Sequence, residues 1–378
     1  MKNAPAKTAS VKTAPVVHKN FLDSRDKYLS FVRATDEKVK TAFYLARRVG
    51  APSPRRPFYV LDAGAGEGTI ISTFLTALHK KIPRTPIVVV AKEISIDDIC
   101  ILLGYLPDRF AEHPSLVFHI TNLDYREMAN PAAGFRRFRR ELRGEMSHDF
   151  GLQLMNMSAF VKKHFALAAD SSGAPRPRQK IALTIYRKDR KDALAALVSA
   201  PAPPSQFDFI VASHPFRLRR PPSAVAAAVV APLLRMLRGG GRMVLTYASG
   251  RDFSRPLLRL LYPQIAPYAS AAPSKLLRAL RAIPECAATA ASARVSAMRY
   301  GFINLYLGRR EFSLGNIYSL WNAVVYVGQI GEGEQKTAAA RGLPRLLREK
   351  LARVRDKSFV NHIIHFTKTR GRKGGRTD

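Results

Sequence analysis

The sequence predicts an α/β fold in which a mostly parallel, seven-stranded sheet carries helices on both faces. Short apolar runs of the length of buried strands recur along the chain. Segments with helical spacing of apolar residues separate these runs, and this alternation is typical of a parallel sheet covered by helices. Two late segments that alternate or run apolar are predicted to close the sheet as an antiparallel pair.

Five strands and a final pair account for the seven. The predicted strands are Phe58–Leu61, Ile87–Ala91, Leu116–Ile120, Phe207–Ala212 and Arg242–Tyr247, followed by Arg299–Leu307 and Phe359–Thr367. The predicted helices are Phe21–Val49, Thr69–His79, Ile96–Leu103, Ala224–Leu237 and an aromatic stretch within Phe312–Ile330. Gly239, Gly240 and Gly241 are expected to end the helix before the fifth strand, because glycine commonly follows a helix C-terminus.

The chain is expected to divide into four parts. Residues 1–20 are a basic tail, 21–55 an N-terminal helical cap, 56–369 the main domain and 370–378 a second basic tail. The main domain contains an insertion at 131–205, which is far longer than an ordinary connection. The insertion is expected to hold its own helices and a strand at Lys180–Tyr186. Its run Phe135–Arg143 is predicted to be either an amphipathic helix or a surface where aromatics and arginines meet unpaired bases.

Composition bounds the classes of function. The 62 Lys and Arg against 28 Asp and Glu give a formal net charge of +34, which would attract polyanions. The alternative, to which we give equal weight, is that the charge reflects a lineage whose proteins are generally basic and serves no polyanion partner.

The cysteines and the apolar runs exclude further classes. Only Cys100 and Cys286 occur, without metal-ligand spacing, so neither a disulfide framework nor a metal site is expected. No apolar run reaches the roughly 18 residues of a membrane helix. We expect a cytoplasmic protein, or an organellar one if residues 1–20 are a transit peptide.

A glycine-rich turn follows the first predicted strand. Asp62 is followed by Gly64, Gly66 and Gly68, and the next helix begins at Thr69. Glycine lets the backbone turn sharply and approach a ligand, and the helix after the turn presents free N–H groups. The spacing departs from the dinucleotide pattern GxGxxG, and a carboxylate at Asp62 suits a ligand that carries an ammonium group.

Acidic residues follow the next two strands. Glu93 ends the second strand, where it can accept hydrogen bonds from ribose hydroxyls. Asp124 follows the third, where it can accept from an exocyclic adenine amine. The fourth strand ends in Ser213-His214-Pro215-Phe216 at the same edge of the sheet. Ligands of open α/β sheets bind at these carboxyl ends.

These residues together resemble the class I S-adenosylmethionine-dependent methyltransferases, a family with a Rossmann-like fold. The resemblance runs from about Arg56 to Tyr247 without the insertion. It implies S-adenosylmethionine as the cofactor, held by Asp62, Gly64, Gly66, Gly68, Glu93, Asp124 and Ser213. It identifies the methyl donor and leaves the acceptor open.

The end of the fourth strand departs from one branch of that family. Methyltransferases that act on nucleic-acid amines often carry an Asn/Asp-Pro-Pro-aromatic tetrapeptide there, and this chain has Ser213 in place of the amide or acid. His214 is the candidate general base, or else packs against the cofactor. Tyr28, Phe216 and Trp321 are candidates for the acceptor pocket, with core packing as their alternative role.

Three hypotheses of function follow. The first is a methyltransferase acting on a small molecule, which the Ser-His ending favours slightly. The second is an RNA methyltransferase, which the charge and the basic insertion suggest. The third is a methyltransferase-like RNA-binding or ribosome assembly factor that does not catalyse. No membrane or metal partner is expected in any of them.

Overall fold

A nine-stranded sheet lies at the centre of the computed structural model. The described residues are 25–49, 56–129, 134–171, 175–199, 206–216, 220–250, 252–261, 272–303, 321–327, 349 and 358–369. The strands are β1 Phe58–Asp62, β2 Ile87–Lys92, β3 Leu116–Thr121, β4 Arg136–Leu142, β5 Leu167–Ala169, β6 Pro175–Pro177, β7 Ile181–Arg187, β8 Phe207–Ser213, β9 Leu237–Ala248, β10 Arg294–Tyr300 and β11 Phe359–Thr367. The short strands β5 and β6 form a separate antiparallel pair.

The helices fill the connections between these strands. They are α1 Arg25–Ala34, α2 Glu37–Ala46, α3 Thr69–Lys81, α4 Ile96–Glu112, α5 Tyr125–Ala129, α6 Ser147–Met155, α7 Ser158–His164, α8 Ala195–Val198, α9 Pro222–Val225, α10 Ala231–Arg235, α11 Ser254–Leu261, α12 Pro273–Arg281, α13 Pro284–Ala291 and α14 over 321–327. A π-helical turn, Ala226–Val230, joins α9 to α10. Residues 1–20 and 370–378, predicted to be tails, lie outside the described residues.

The strand order of the main sheet is β10-β11-β9-β8-β1-β2-β3-β7-β4. Strands β1, β2, β3, β8 and β9 run parallel, whereas β11 runs antiparallel to both β9 and β10. The chain moves outward from β1 to β3 and then returns to place β8 on the other side of β1. This reversal opens a crevice between the carboxyl ends of β1 and β8, where ligands bind in open α/β sheets.

Both faces of the sheet are covered, as predicted. One core contains residues of α2, α3, α4, α6 and α7, packed on side chains such as Val60 and Phe209. The opposite core contains residues of α1, α5, the helical run from α9 to α10, α12, α13 and α14, packed on Leu61 and Ile210. Neighbouring strand residues point to opposite faces, so runs that are apolar at every position satisfy both cores. The α/β class with a Rossmann-like order is confirmed.

The sheet has nine strands and not the predicted seven. The insertion supplies the two extra strands, since β7 pairs antiparallel with β3 and β4 pairs parallel with β7. The β7 strand was predicted, but β4 covers the Phe135–Arg143 run that was expected to be helical if it packed on the core. Phe138 packs edge-on against Phe160 with ring centroids 4.9 Å apart, and Leu142 on the same face is buried. Pairing with β7 along the whole of β4, from Arg136 to Leu142, makes this segment a strand.

The N-terminal helix is also two helices instead of one. The break falls at Thr35 and Asp36, where Thr35 forms an isolated antiparallel bridge with Phe302. The Asp36 amide donates to the Gly301 carbonyl at 3.0 Å, and the Gly301 amide donates to Asp36 Oδ1 at 2.8 Å. Long-range pairing therefore overrides the local helical pattern.

Three predicted boundaries were wrong. Helix α4 continues beyond Leu103 to Glu112, because its last turns bury Phe110 despite Pro107 inside the helix. The glycine triplet lies inside β9, where a Cβ on Gly241 would stand only 2.9 Å from a carbonyl oxygen of the neighbouring strand. Strand β10 ends at Tyr300, so the predicted strand at Arg299–Leu307 begins too late, and 304–307 lie outside the described residues.

Candidate functional site

The glycine turn connects β1 to α3 and needs glycine at two positions. Gly66 and Gly68 have φ angles of +55° and +95°, which side-chain-bearing residues rarely adopt. A Cβ on Gly66 would overlap the Tyr28 hydroxyl, and a Cβ on Gly68 would overlap Leu102 of α4. A Cβ added to Gly64 would lie 3.7 Å from the carbonyl oxygen of Ser213, which is ordinary van der Waals contact. The turn is therefore held between the N-terminal helix, α4 and the end of β8.

Asp62 ends β1 with a buried carboxylate that makes no hydrogen bond of good geometry within the described part of the chain. Its side chain is 1% exposed, and neither carboxylate oxygen has a hydrogen-bond partner among the described residues. Burial raises the pKa of Asp62 to about 7, against the opposing effects of Lys38 and the Gly64 amide. A buried carboxylate without a partner is costly, and a cationic ligand group would relieve that cost.

Glu93 lies beside the turn and supports it. One carboxylate oxygen accepts from the Gly66 amide at 2.8 Å, and the other accepts from the amides of Ile94 and Ser95 at 2.7 and 2.8 Å. A carboxylate has about four acceptor positions, so a ribose would share or replace these contacts. The structure brings Glu93 to the turn, and its role toward ribose stays a prediction.

Asp124 is exposed and caps α5. Its Oδ1 accepts from the amides of Arg126 and Glu127, and its own amide donates to Glu127 Oε2 at 2.9 Å. This reciprocal arrangement is a capping box. It gives Asp124 a structural role that the sequence pattern did not indicate, beside its predicted role toward adenine.

Two buried charges from α2 enter the site, and neither was predicted from the sequence. Glu37 is 1% exposed and Lys38 is 8% exposed. Burial lowers the pKa of Lys38, but nearby anionic and phenolic side chains outweigh it and raise that pKa above its ordinary value. Those side chains belong to Tyr28, Glu37, Glu67 and Tyr326. In the sequence these residues are two adjacent charges at the start of a predicted helical segment, a pattern that is typical of a solvent-exposed helix end.

Glu37 binds the histidine that follows β8. His214 Nε2 lies 2.6 Å from Glu37 Oε1, and Asn361 Nδ2 of β11 donates to the same oxygen at 2.7 Å. Burial raises the pKa of Glu37, but His214, Lys38 and Asn361 outweigh it and lower the pKa to about 2. Ser213 is buried beside them and accepts a hydrogen bond from Thr246 Oγ1 at 3.2 Å.

The three aromatic candidates are packed into the core or against it. Tyr28 is 5% exposed and its ring centroid lies 5.4 Å from that of Tyr326. Trp321 is 7% exposed and belongs to the core that contains Phe31 and Leu61. The ring centroid of Phe216 lies 5.2 Å from that of Tyr247. Among these three, Tyr28 is the one whose hydroxyl the structure places at the glycine turn. Acceptor binding by any of them stays a prediction.

Among the described residues, no group of three or more His, Cys, Asp or Glu is arranged to hold a metal ion. No helix in the described part of the chain is long and apolar enough to cross a bilayer.

The strand order, the switch point and the glycine turn define the chain as a Rossmann-like α/β protein. Its switch point lies at the carboxyl ends of β1 and β8, which is where open α/β sheets bind their ligands. No family model and no curated protein matches the sequence.

Solved structures with which it shares partial similarity include a phosphoethanolamine N-methyltransferase of Haemonchus contortus, crystallised with phosphomonomethylethanolamine and S-adenosylhomocysteine. It is 11% identical, with a TM-score of 0.33, 93% of this chain covered and 61% of that chain. The chain thus spans less than two thirds of that enzyme. The [4+2]-cyclase SpnF is 12% identical, with a TM-score of 0.36 and coverages of 88% and 82%. A SAM-dependent methyltransferase of Archaeoglobus fulgidus is 10% identical, with a TM-score of 0.33 and coverages of 92% and 99%. Likeness at this level is no argument for a shared activity, and one fold hosts many functions.

Proposed function

We propose that the chain binds S-adenosylmethionine and transfers its methyl group to a small-molecule acceptor. The observation that carries this proposal is Asp62, a buried carboxylate to which no described residue donates a hydrogen bond, at a turn that requires glycine at Gly66 and Gly68. The cofactor carries an ammonium group that would pair with this carboxylate. The chemistry of these residues therefore supports S-adenosylmethionine as the ligand.

Each residue has a distinct part in this proposal. When bound, S-adenosylmethionine supplies an electrophilic methyl group on a sulfonium. Asp62 would hold the ammonium, and Gly64 and Gly66 would let the ligand approach the backbone. Glu93 would hold the ribose and Asp124 the adenine. Alignment of the acceptor with the methyl group would supply much of the catalysis.

The affinity for S-adenosylmethionine tests the proposal directly. Asp62→Asn keeps the shape and removes the negative charge, so we expect binding to weaken by roughly 10- to 100-fold, the equivalent of about 1.5–3 kcal/mol for a charge-assisted hydrogen bond. Isothermal titration calorimetry with S-adenosylmethionine measures it.

Asp208→Asn is the matched control. Asp208 lies near the start of β8, at the other end of the strand from the crevice, and pairs with Arg56. Its substitution should leave the affinity unchanged. The proposal is contradicted if the parent protein shows no heat of binding with S-adenosylmethionine. It is also contradicted if the parent and Asp62→Asn bind S-adenosylmethionine with equal affinity.

An RNA acceptor is the second candidate. Four arginines on β4 are exposed at the edge of the sheet, namely Arg136, Arg137, Arg139 and Arg140. Such a strand would suit phosphates, and charged residues also protect an edge strand from pairing with another chain. Transfer of labelled methyl groups to the RNA, protein and small-molecule fractions of a cell extract separates the candidates. Label in none of the fractions, with S-adenosylmethionine bound, would favour a non-catalytic assembly factor.

A further inference from the structure

Three side chains from distant parts of the chain meet just beyond β8. Glu37 comes from the first turn of α2, His214 from the end of β8 and Asn361 from β11. His214 Nε2 and Asn361 Nδ2 both contact Glu37 Oε1, at 2.6 and 2.7 Å, and they lie 3.2 Å from each other. Glu37 and Asn361 are buried, at 1% and 0% exposure. The buried side chains of Glu37 and Asn361 therefore fix the orientation of the His214 imidazole ring.

The backbone of His214 is held in an unusual conformation. Its φ of +51° is the single positive value for a residue other than glycine among the described residues. The left-handed region is unfavourable for a residue that carries a Cβ. The amide of His214 donates to the Thr246 carbonyl at 2.8 Å, which holds the residue there. Strain of this kind is typical of functional sites, and glycine would occupy the position at lower cost if no side chain were needed.

The hydrogen bonds of the ring define its tautomer. Nε2 lies 2.6 Å from Glu37 Oε1, which only accepts, and 3.2 Å from Asn361 Nδ2, which only donates. The contact with Glu37 is the shorter one, and Asn361 Nδ2 donates to Glu37 at 2.7 Å, so we assign the proton to Nε2. Nδ1 makes no hydrogen bond to any residue that the structure describes, and the side chain is 28% exposed. The neutral ring thus presents an unprotonated nitrogen to its accessible side. A ring oriented by a carboxylate in this way is the arrangement of a histidine general base.

We propose that Glu37 and Asn361 position His214 as a general base, so that the methyl acceptor is a small molecule with a dissociable proton on oxygen, nitrogen or sulfur. This inference rests on the proposed methyl transfer. His214 Nδ1 takes the proton from the acceptor while the acceptor's electron pair forms the bond to the methyl carbon. The electron pair of the broken carbon–sulfur bond stays on sulfur, which becomes a neutral thioether.

The buried carboxylate gives Glu37 an electrostatic part as well. Proton transfer leaves His214 as an imidazolium, and the ionised Glu37 lies directly against it. His214, Lys38 and Asn361 together outweigh the effect of burial and lower the pKa of Glu37 to about 2, so its carboxylate is ionised. The Asn361 amide, which donates to Glu37 Oε1, holds that carboxylate in place. Glu37 and Asn361 are thus positioning residues, while His214 is the group that meets the acceptor.

Nuclear magnetic resonance of the protein labelled with ¹⁵N-histidine tests the tautomer without any acceptor. His214 signals are assigned by their loss in His214→Asn, a substitution that tolerates the left-handed region. We expect the neutral ring to carry its proton on Nε2 in the protein with and without S-adenosylmethionine. A proton on Nδ1 in the neutral ring would overturn the proposal.

Transfer of labelled methyl groups to the small-molecule fraction of a cell extract tests the chemistry. We expect His214→Asn and Glu37→Gln each to lower the rate by roughly 100-fold, the usual size of a general-base contribution. Affinity for S-adenosylmethionine should stay that of the parent, and added imidazole should partly restore His214→Asn. Glu112→Gln is the matched control, because Glu112 lies 3.1 Å from His79 in a histidine–carboxylate pair remote from the site. It should leave the rate unchanged.

The outcomes separate this inference from the proposed function. Absence of S-adenosylmethionine binding defeats the proposed function, whatever the tautomer. If S-adenosylmethionine binds and the rate of methyl transfer is unchanged in both His214→Asn and Glu37→Gln, the assignment of His214 as a general base is overturned. Binding with a labelled product that is a quaternary ammonium or a sulfonium also overturns it, because no proton is lost in forming such a product. Binding without label in any small molecule has the same consequence.

Discussion

Asp62 shows how a single residue can favour a ligand at the expense of the fold. Its carboxylate accepts no hydrogen bond from the residues that the structure describes, and burial raises its pKa from 3.8 to about 7. The folded state therefore holds a proton that the unfolded chain releases at lower pH. The stability that this protonated carboxyl contributes is fully present below the unfolded pKa. It is lost as the pH rises toward 7.

Removal of that charge should stabilise the protein without ligand. Asp62→Asn is expected to raise the free energy of unfolding at pH 8 by about 2–4 kcal/mol, with little change at pH 4, because the shift of the pKa is lost. Urea unfolding at the two pH values, without S-adenosylmethionine, measures the difference. Equal gains at both pH values would show that the Asp62 charge is not what destabilises the fold.

Gly68 carries a backbone requirement at the same scale. Gly68→Ala adds a Cβ at φ +95° against Leu102, so we expect a loss of about 1–3 kcal/mol in unfolding free energy. Gly104→Ala is the matched control, since an added Cβ there meets nothing within 4 Å and Gly104 lies inside α4. That change should stabilise by about 0.5–1 kcal/mol. A neutral Gly68→Ala in thermal denaturation would contradict the constraint.

At the scale of elements, the break between α1 and α2 shapes the site. Phe31 of α1 packs in one core and Leu45 of α2 packs in the other. The chain therefore passes from one face of the sheet to the other between these helices. That passage places Glu37 and Lys38 beside the carboxyl ends of the strands. A continuous helix would not deliver both charges to this position.

Asp36 should fix that passage. Asp36→Ala removes the bond from the Gly301 amide and the pair with Lys40, and we expect a loss of about 1 kcal/mol. Hydrogen exchange should quicken in α2. Lys40→Ala removes only the exposed pair and should cost at most about 0.5 kcal/mol. Equal losses in the two variants would mean that the bond to Gly301 contributes nothing.

At the scale of the whole molecule, the net charge of +34 is the strongest feature that the proposed small-molecule reaction does not use. If the β4 arginines bind RNA, a labelled 20-nucleotide oligo(U) should bind with an affinity that falls as salt rises. The slope of log affinity against log salt is negative for such binding. The double change Arg139→Gln and Arg140→Gln should reduce the magnitude of this slope by about 0.7 for each phosphate that the protein no longer neutralises. Fluorescence anisotropy across a salt series measures it.

The control removes the same charge elsewhere. Arg278 and Arg281 are exposed on α12, and their double change to Gln should leave the slope unchanged. Equal effects of the two pairs would show that the charge acts diffusely. A slope near zero in the parent would exclude a polyanion partner at this surface.

The fold class, the glycine turn and the acids at the strand ends could all be predicted from the sequence. These features are local, because apolar runs set strand burial and glycine spacing sets the turn. Strand β4 could not be predicted, because seven residues rich in arginine pair with β7 only when β7 already extends the sheet. Nor could Glu37 and Asn361, which lie 324 positions apart and touch at 2.7 Å. Tertiary packing brings such residues together, and their chemistry depends on burial and on partners that no local pattern encodes.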